Sequence, residues 1–129
     1  MFRTVCRSVL HNLVVTHAEP LCHGSIRLDL SLMEKGQLVD GEQVLVANVT
    51  TGARMFTYAV QAPRGSGIIE TSGAMSRLAR CGDTVCVMSF VFTDSPKDVK
   101  RIELDFRCES IRAKGKTNAN TSRTRRTNH

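Results

Sequence analysis

Short runs of alternating or β-branched residues follow one another along this chain, and tight turns separate them. In residues 26–32, isoleucine and leucine alternate with polar side chains at a period of two. Residues 42–49 and 54–61 flank the turn Thr50-Thr51-Gly52-Ala53, an arrangement typical of a β-hairpin. Many short strands with almost no long helical pattern predict an all-β fold, and specifically a small β-barrel.

The remaining segments fit the same architecture. We expect further strands over residues 4–10, 13–17 and 83–92, a loop over residues 63–67, and one or two short helices over residues 31–35 and 73–79. At 129 residues the chain has the length of one domain.

The charge of the chain is concentrated at its C-terminal end. The formal net charge is +6, yet residues 1–111 contain 12 basic and 12 acidic residues, so all the excess lies in residues 112–129. That segment has no aromatic residue and no aliphatic side chain larger than alanine, and we expect it to be disordered. We interpret it as a solubilising tail that at most makes weak contacts with polyanions such as RNA, and we do not expect a nucleic-acid-binding protein.

Several classes of protein are disfavoured. No run of 18 apolar residues is present and residues 1–5 do not resemble a secretory signal, so we expect a cytoplasmic protein without a membrane span. The five cysteines show no C-x-x-C spacing, and His17, Cys22 and His23 supply only three potential ligands. We therefore expect neither a disulfide framework nor a metal site.

The chain carries no nucleophile elbow, P-loop or dinucleotide-binding motif. Gly24-Ser25 is weak evidence on its own, because Gly65-Ser66 is a second such pair. The informative signal is an ordered set of residues at fixed spacing: Arg3-Thr4, Leu10-His11, Val15-Thr16-His17-Ala18, Gly24-Ser25, Asp29, Asn48-Val49-Thr50, Gly52, Arg54, Thr57-Tyr58-Ala59, Arg64-Gly65-Ser66, Ile68-Ile69, Gly73-Ala74, Gly82-Asp83 and Ser89-Phe90.

This set closely resembles the aspartate 1-decarboxylase family, the pyruvoyl-dependent enzymes of pantothenate synthesis. The likeness covers residues 1–92, which we expect to form the barrel, and residues 93–129 are expected to be a C-terminal extension. The resemblance implies a double-psi β-barrel that assembles as a homotetramer with active sites between subunits. It also implies self-cleavage between Gly24 and Ser25, which gives a β chain of residues 1–24 and an α chain of residues 25–129.

The resemblance further implies how the cofactor is made. The Ser25 hydroxyl attacks the carbonyl of Gly24, and elimination and hydrolysis then convert Ser25 into a covalent pyruvoyl group. Thr57 matches the hydroxyl that stabilises the developing oxyanion in this family. The pyruvoyl ketone forms a Schiff base with the substrate amine and accepts electrons as carbon dioxide leaves.

By the same resemblance, the reaction is decarboxylation of L-aspartate to β-alanine. Tyr58, the only tyrosine, matches the proton donor, and Arg54 matches the arginine that binds a substrate carboxylate. The other positions implied to contact substrate include Thr57 again, with Ser72, Gly73, Ala74, Met75 and, without an assigned role, His11.

The chain departs from the family pattern where substrate is recognised. Val9 stands where the family has a lysine that holds substrate carboxylates, and smaller residues, Ala47 and Cys22, replace a tryptophan and a tyrosine. Arg7, two residues before Val9 and therefore expected on the same strand face, is a candidate to replace the lysine. Two alternatives therefore stay open: a pyruvoyl-dependent decarboxylase of another amino acid, and a non-catalytic barrel that acts as a binding or assembly module.

Overall fold

The computed structural model describes residues 1–107. In chain order the strands and helices are β1 (Arg3–Val14), β2 (His17–Glu19), β3 (Ser25–Asp29), α1 (Leu30–Gly36), β4 (Gln43–Asn48), β5 (Arg54–Ala62), β6 (Ile69–Ser72), α2 (Met75–Leu78), β7 (Thr84–Thr93), a 3-10 turn (Pro96–Asp98) and β8 (Ile102–Asp105). The expectation of an all-β fold with two short helices is confirmed. The disorder predicted for residues 112–129 lies outside the described residues.

The eight strands form one sheet in the order β2-β6-β3-β5-β4-β7-β1-β8. Parallel pairing between β3 and β5 and antiparallel pairing between β3 and β6 place β3 in the middle of one half. The backbone amide of Thr16, after β1, donates to the carbonyl of Ile69 at 2.8 Å, so the end of β1 meets the start of β6. The sheet therefore curls into a small barrel, the double-psi architecture that the resemblance implies.

The core lies inside this barrel. Met33 of α1 is also buried in this core. The fully buried aliphatic side chains of the strands are Leu10, Leu13, Ile26, Leu28, Val44, Val46, Val85 and Val87. A strand with a period of two buries one face and leaves the other face free for function.

The predicted hairpin of β4 and β5 is confirmed, with Ala47 opposite Arg54. Its turn forms because the Asn48 side-chain oxygen accepts from the backbone amides of Thr50 and Thr51, at 2.9 and 3.1 Å. Gly52 then takes a positive φ of 87°, which glycine adopts at no steric cost.

The sheet continues beyond residue 92, where the sequence placed the end of the barrel. β8 adds a short strand that pairs in parallel with β1, with Leu104 opposite Leu10. Parallel pairing joins segments that are far apart in the chain, so no local turn signal marks it.

A β-bulge interrupts β1 near its start. Cys6 pairs with Phe90 and Ser8 pairs with Ser89, so Arg7 is the extra residue of the bulge. Val9 pairs with Met88, which puts Cys6 rather than Arg7 on the same face as Val9. The regular alternation that would place Arg7 on the face of Val9 is therefore interrupted between the two residues.

Candidate active site

The peptide bond between Gly24 and Ser25 lies at the entry to β3. Ser25 is only 6% exposed, and its neighbours on the two flanking strands hold this part of the backbone in place. The hydroxyl Oγ1 of Thr57, on β5, donates to the carbonyl oxygen of Gly24 at 3.3 Å. A donor on this oxygen polarises the carbonyl and stabilises the negative charge that an attack on its carbon creates.

Ser72, at the end of β6, pairs directly with Ser25 across the antiparallel ladder. The two hydroxyl oxygens are 3.0 Å apart, and the Ser72 hydroxyl also donates to the backbone carbonyl of His23. The Ser72 side chain therefore contacts the residues on both sides of Gly24. It is 7% exposed, so both serines are shielded from bulk water.

Gly73 fits against the segment that precedes the Gly24–Ser25 bond. Its φ is +61°, and a Cβ at this position would lie 2.6 Å from the carbonyl oxygen of Cys22 and 2.7 Å from the amide nitrogen of Gly24. Its own amide donates to the carbonyl of Glu19 at 2.8 Å. Only glycine allows both the backbone angle and the close approach.

Ala74 and Met75 follow at the start of α2. Ala74 is exposed beside the Gly24 segment, whereas Met75 is 1% exposed and packs in the core. The structure therefore brings together five of the predicted site residues in one cluster, which we call the cleavage cluster: Gly24, Ser25, Thr57, Ser72 and Gly73.

Arg54 and Tyr58 lie on the outer face of β5. Together with Phe56 they occupy alternate positions that are exposed, while Ala59 points into the core. Since Ile26 pairs with Ala59, the register brings Tyr58 level with Ser25. Within residues 1–107, neither the guanidinium group of Arg54 nor the hydroxyl of Tyr58 has a hydrogen-bond partner, so both are free to meet a ligand.

Arg54 is separated from the cleavage cluster along its strand. Four residues of extended chain span about 13 Å, so Arg54 and Tyr58 do not touch each other. Arg54 instead lies in one row with Ala47 and Cys86 on the two neighbouring strands. The row continues to His11 of β1, whose Nδ1 is 3.9 Å from Sγ of Cys86.

His11 has a second partner that the sequence did not indicate. Its Nε2 is 3.0 Å from Oε1 of Glu103, on β8. The hydrogen bond from His11 lowers the pKa of Glu103, and Arg101 adds to that effect. Glu103 lies in the segment where no resemblance was recognised, and only the pairing of β8 with β1 brings it to His11.

Cys86, on the other side of His11, is not an activated thiol. Burial raises its pKa to about 11, so the thiol keeps its proton at neutral pH.

The positive charge expected near Val9 is not provided by Arg7. The Arg7 guanidinium is 2.8 Å from the carboxylate of Glu42, which neutralises it. Val9 itself is 7% exposed and opposes Met88, and Met88 in turn opposes Leu45. The outer face is therefore apolar at the position of Val9.

The same face contains a cavity of about 360 Å³. It is lined by Thr4, Glu42, Gln43, Phe56 and Phe90, and the rings of Phe56 and Phe90 lie 6.5 Å apart. Gln43 pairs with Tyr58, so the cavity adjoins the tyrosine.

Two further properties concern metal binding and membrane crossing. Within residues 1–107, no group of three or more His, Cys, Asp or Glu side chains lies close enough together to hold a metal ion. Among those residues, neither helix has the length and apolar character needed to cross a membrane.

Comparisons with known proteins agree with one another. The sequence model described as aspartate decarboxylase matches residues 1–105. The chain is 40% identical over 114 residues to a protein named aspartate 1-decarboxylase from Thermotoga petrophila, covering 88% of this chain and 100% of that protein.

Two further relatives carry the same name. The protein from Leptothrix cholodnii is 43% identical over 90 residues, which is 70% of this chain and 69% of the relative. The protein from Phenylobacterium zucineum is also 43% identical over 90 residues, covering 70% of this chain and 76% of its own length. With the Gly24–Ser25 bond held by Thr57, Ser72 and Gly73 in the barrel that the resemblance implied, this chain belongs to the aspartate decarboxylase family.

Proposed function

We propose that this chain cleaves itself between Gly24 and Ser25 and that the cleaved protein decarboxylates L-aspartate to β-alanine and carbon dioxide, a step of pantothenate synthesis. The observation that carries the proposal is the hydrogen bond from Thr57 to the Gly24 carbonyl, next to the buried Ser25 hydroxyl. Family membership and the names of the relatives support the same reaction.

Self-cleavage needs only groups that the cleavage cluster contains, together with water. The oxygen of Ser25 bonds to the Gly24 carbonyl carbon, and the amide bond becomes an ester as the Ser25 nitrogen takes up the hydroxyl proton. Water takes the Ser25 α-proton as the bond between the Ser25 β carbon and the ester oxygen breaks, and that oxygen leaves as part of the Gly24 carboxylate. A second water then replaces the Ser25 nitrogen, which leaves as ammonia. Thr57 stabilises the charge on the Gly24 oxygen in the first step.

The residues around Ser25 fit a pyruvoyl group at this position. Ser25 is shielded at the start of β3, and Gly73 has no side chain on the side that faces Gly24. The group supplies a ketone carbon that reacts with an amine and withdraws electrons when carbon dioxide leaves. No residue of the cluster carries a charge, so a substrate carboxylate must be bound from elsewhere.

Arg54 and Tyr58 supply the remaining functions. The exposed guanidinium of Arg54 binds one substrate carboxylate through two parallel hydrogen bonds. Tyr58, level with Ser25, donates the proton that replaces carbon dioxide on the substrate carbon. An acidic α-amino acid satisfies both groups, and aspartate is the first candidate.

The distance between Arg54 and the cleavage cluster favours assembly. Exposed apolar side chains on the outer face, including Phe56 at 55% exposure, border Arg54 and Tyr58. We propose that cleaved subunits associate through this face as a homotetramer in the cytoplasm, so that one subunit completes the substrate site of the next.

Release of carbon dioxide from L-aspartate tests the proposed activity. We expect the cleaved protein to turn over aspartate, and Arg54→Ala to lose that activity while Ser25 is still processed. Arg80→Ala, which removes an exposed arginine on the turn before β7, is the matched control and should keep full activity. A cleaved wild-type protein that releases no carbon dioxide from any amino acid would favour a non-catalytic barrel.

One observation favours a second substrate class, the neutral amino acids. Ala47, which opposes Arg54, and Val9, farther along the outer face on β1, carry no charge, and Arg7 is neutralised by Glu42. If aspartate is the substrate, its KM should be high and Val9→Lys should lower KM with little change in kcat, because the added contact acts before the transition state as well as in it. Faster turnover of a neutral amino acid would instead identify that class as the substrate.

A further inference from the structure

Ser72, expected from the resemblance to contact substrate, is hydrogen-bonded to the nucleophile of the cleavage step. We propose that the Ser72 hydroxyl is a positioning residue for self-cleavage, which orients the Ser25 hydroxyl for attack on the Gly24 carbonyl. This inference rests on the proposed self-cleavage and assigns one residue a role within it.

A count of hydrogens gives the direction of the bond between the two serines. The Ser72 hydroxyl has one hydrogen, and the backbone carbonyl of His23 can only accept it. The carbonyl of Ser25 is a more distant acceptor, 3.4 Å from the Ser72 oxygen. With the Ser72 hydrogen on the His23 carbonyl, the 3.0 Å hydrogen bond between the two hydroxyls has Ser25 as its donor and Ser72 as its acceptor.

This direction has a chemical consequence for Ser25. A hydroxyl whose hydrogen is engaged on Ser72 keeps its lone pairs available for attack, and the bond fixes the side-chain rotamer of Ser25. Water cannot take over this role easily, because Ser25 and Ser72 are 6% and 7% exposed. The antiparallel pairing of Ser25 with Ser72 holds both backbones at this separation.

The roles in the attack are then divided between two hydroxyls on opposite sides of β3. Thr57, on β5, donates to the carbonyl oxygen of Gly24, and Ser72, on β6, accepts from the nucleophile. As the bond from Ser25 oxygen to the Gly24 carbon forms and the bond from that carbon to the Ser25 nitrogen breaks, the hydroxyl proton moves to that nitrogen. Ser72 neither gains nor loses an atom.

The test follows cleavage in time after cell-free synthesis, with samples quenched in acid and examined by intact-mass spectrometry. We expect Ser72→Ala to slow cleavage at least about tenfold, because the nucleophile loses its orientation. Ser72→Thr, which keeps the hydroxyl, should cleave within about threefold of wild type. Ser89→Ala removes a buried hydroxyl in β7 far from Gly24 and is the matched control, with an unchanged rate expected.

The outcomes separate this inference from the proposed function. If wild type cleaves and Ser72→Ala cleaves equally fast, Ser72 has no positioning role and the proposed function stands. If wild type does not cleave, the proposed function fails and this inference fails with it. If Ser72→Ala does not fold, Ser72→Thr and Ser72→Val decide, because they share a shape and differ in the hydroxyl; equal rates for these two overturn the inference.

Discussion

Single residues around the Gly24–Ser25 bond polarise the Gly24 carbonyl and pack closely against the backbone. Thr57 and Ser72 hold the carbonyl of Gly24 and the hydroxyl of Ser25, and Gly73 lies against the backbone of residues 22–24. The contact of Thr57 comes from β5, and those of Ser72 and Gly73 come from the end of β6 and the residue after it. The geometry of the bond therefore depends on the fold rather than on the local sequence.

Gly73 gives the clearest prediction at this scale. Gly73→Ala places a methyl group 2.6 Å from the Cys22 carbonyl and forces alanine into a left-handed backbone angle. We expect a loss of at least about 2 kcal/mol in the free energy of unfolding, measured by urea denaturation, together with slower cleavage at Ser25.

Gly52→Ala is the matched control for this substitution. Gly52 also has a positive φ, of 87°, but a Cβ there would meet nothing within 4 Å. Gly52→Ala should therefore lower the free energy of unfolding only by the backbone strain, about 1 kcal/mol, and should leave cleavage unchanged. Equal losses for the two variants would show that crowding at Gly73 does not matter.

Some of the site could be predicted from the sequence, and some could not. Gly24, Ser25 and Thr57 are found because their spacing matches a family pattern. The contact of Ser72 with Ser25 requires the register of β3 against β6, which a linear pattern does not contain. Neither the bulge at Arg7, which interrupts the alternation of β1, nor the ion pair of Arg7 with Glu42 could be predicted from the sequence.

Among the elements, β3 and α1 meet at one buried carboxylate. Asp29 ends β3 and caps α1 by accepting from the amide of Ser31 at 2.9 Å, and it also accepts from the amides of Gly65 and Gly67 at 2.9 and 2.8 Å. Burial acts to raise the pKa of Asp29, but the hydrogen bonds from Gly67, Ser31 and Gly65 outweigh it and lower that pKa below 3.8. One side chain thus joins a strand, a helix and a loop.

This carboxylate makes the stability of the fold depend on acid. Folding lowers the pKa of Asp29, so ionised Asp29 adds to the free energy of unfolding. This contribution is complete above the unfolded pKa of 3.8 and is lost as the pH falls through the lower pKa of the folded state. We expect Asp29→Asn to reduce the free energy of unfolding by about 2 kcal/mol at pH 7, and the difference from wild type to shrink below pH 4. Urea denaturation at pH 7, 5 and 3 measures both effects.

Asp40→Asn serves as the control for that series. Asp40 is exposed and accepts one backbone hydrogen bond, from Gln61 at 2.8 Å. Its replacement should cost less than about 1 kcal/mol. A difference between wild type and Asp29→Asn that stays constant from pH 7 to pH 3 would contradict the role given to the Asp29 charge.

Most elements, but not all, follow from pattern alone. The β4–β5 hairpin is predictable because its turn residues and its alternation agree. β8 is not, because four residues that pair in parallel with β1, more than 90 positions away, carry no turn or spacing signal. The partnership of Glu103 with His11 was missed for the same reason.

At the scale of the whole molecule, the outer face of the barrel is an apolar surface that a single subunit leaves exposed. Phe56 is 55% exposed beside Arg54 and Tyr58, and apolar residues of β1, β4 and β7 continue the face. An apolar face next to functional groups is typical of an interface between subunits.

We therefore expect Phe56→Asp to weaken self-association. The wild-type mass from light scattering should be about four times that of one chain. The mass of the variant should be smaller, because the aspartate charge would be buried in the interface without a partner. Val39→Asp, at an apolar residue that is 66% exposed in the loop between α1 and β4, should leave the mass unchanged. A monomeric wild type with full activity would contradict the proposed assembly.

The central claim, self-cleavage at Ser25, is tested most directly by intact-mass spectrometry of the purified protein. The account predicts fragments of 24 and 105 residues for wild type, with the larger fragment carrying a pyruvoyl group in place of its N-terminal serine. Ser25→Ala should remain whole, and Thr57→Val should remain whole or cleave far more slowly. A wild-type protein that stays a single chain of 129 residues after prolonged warm incubation would contradict the account.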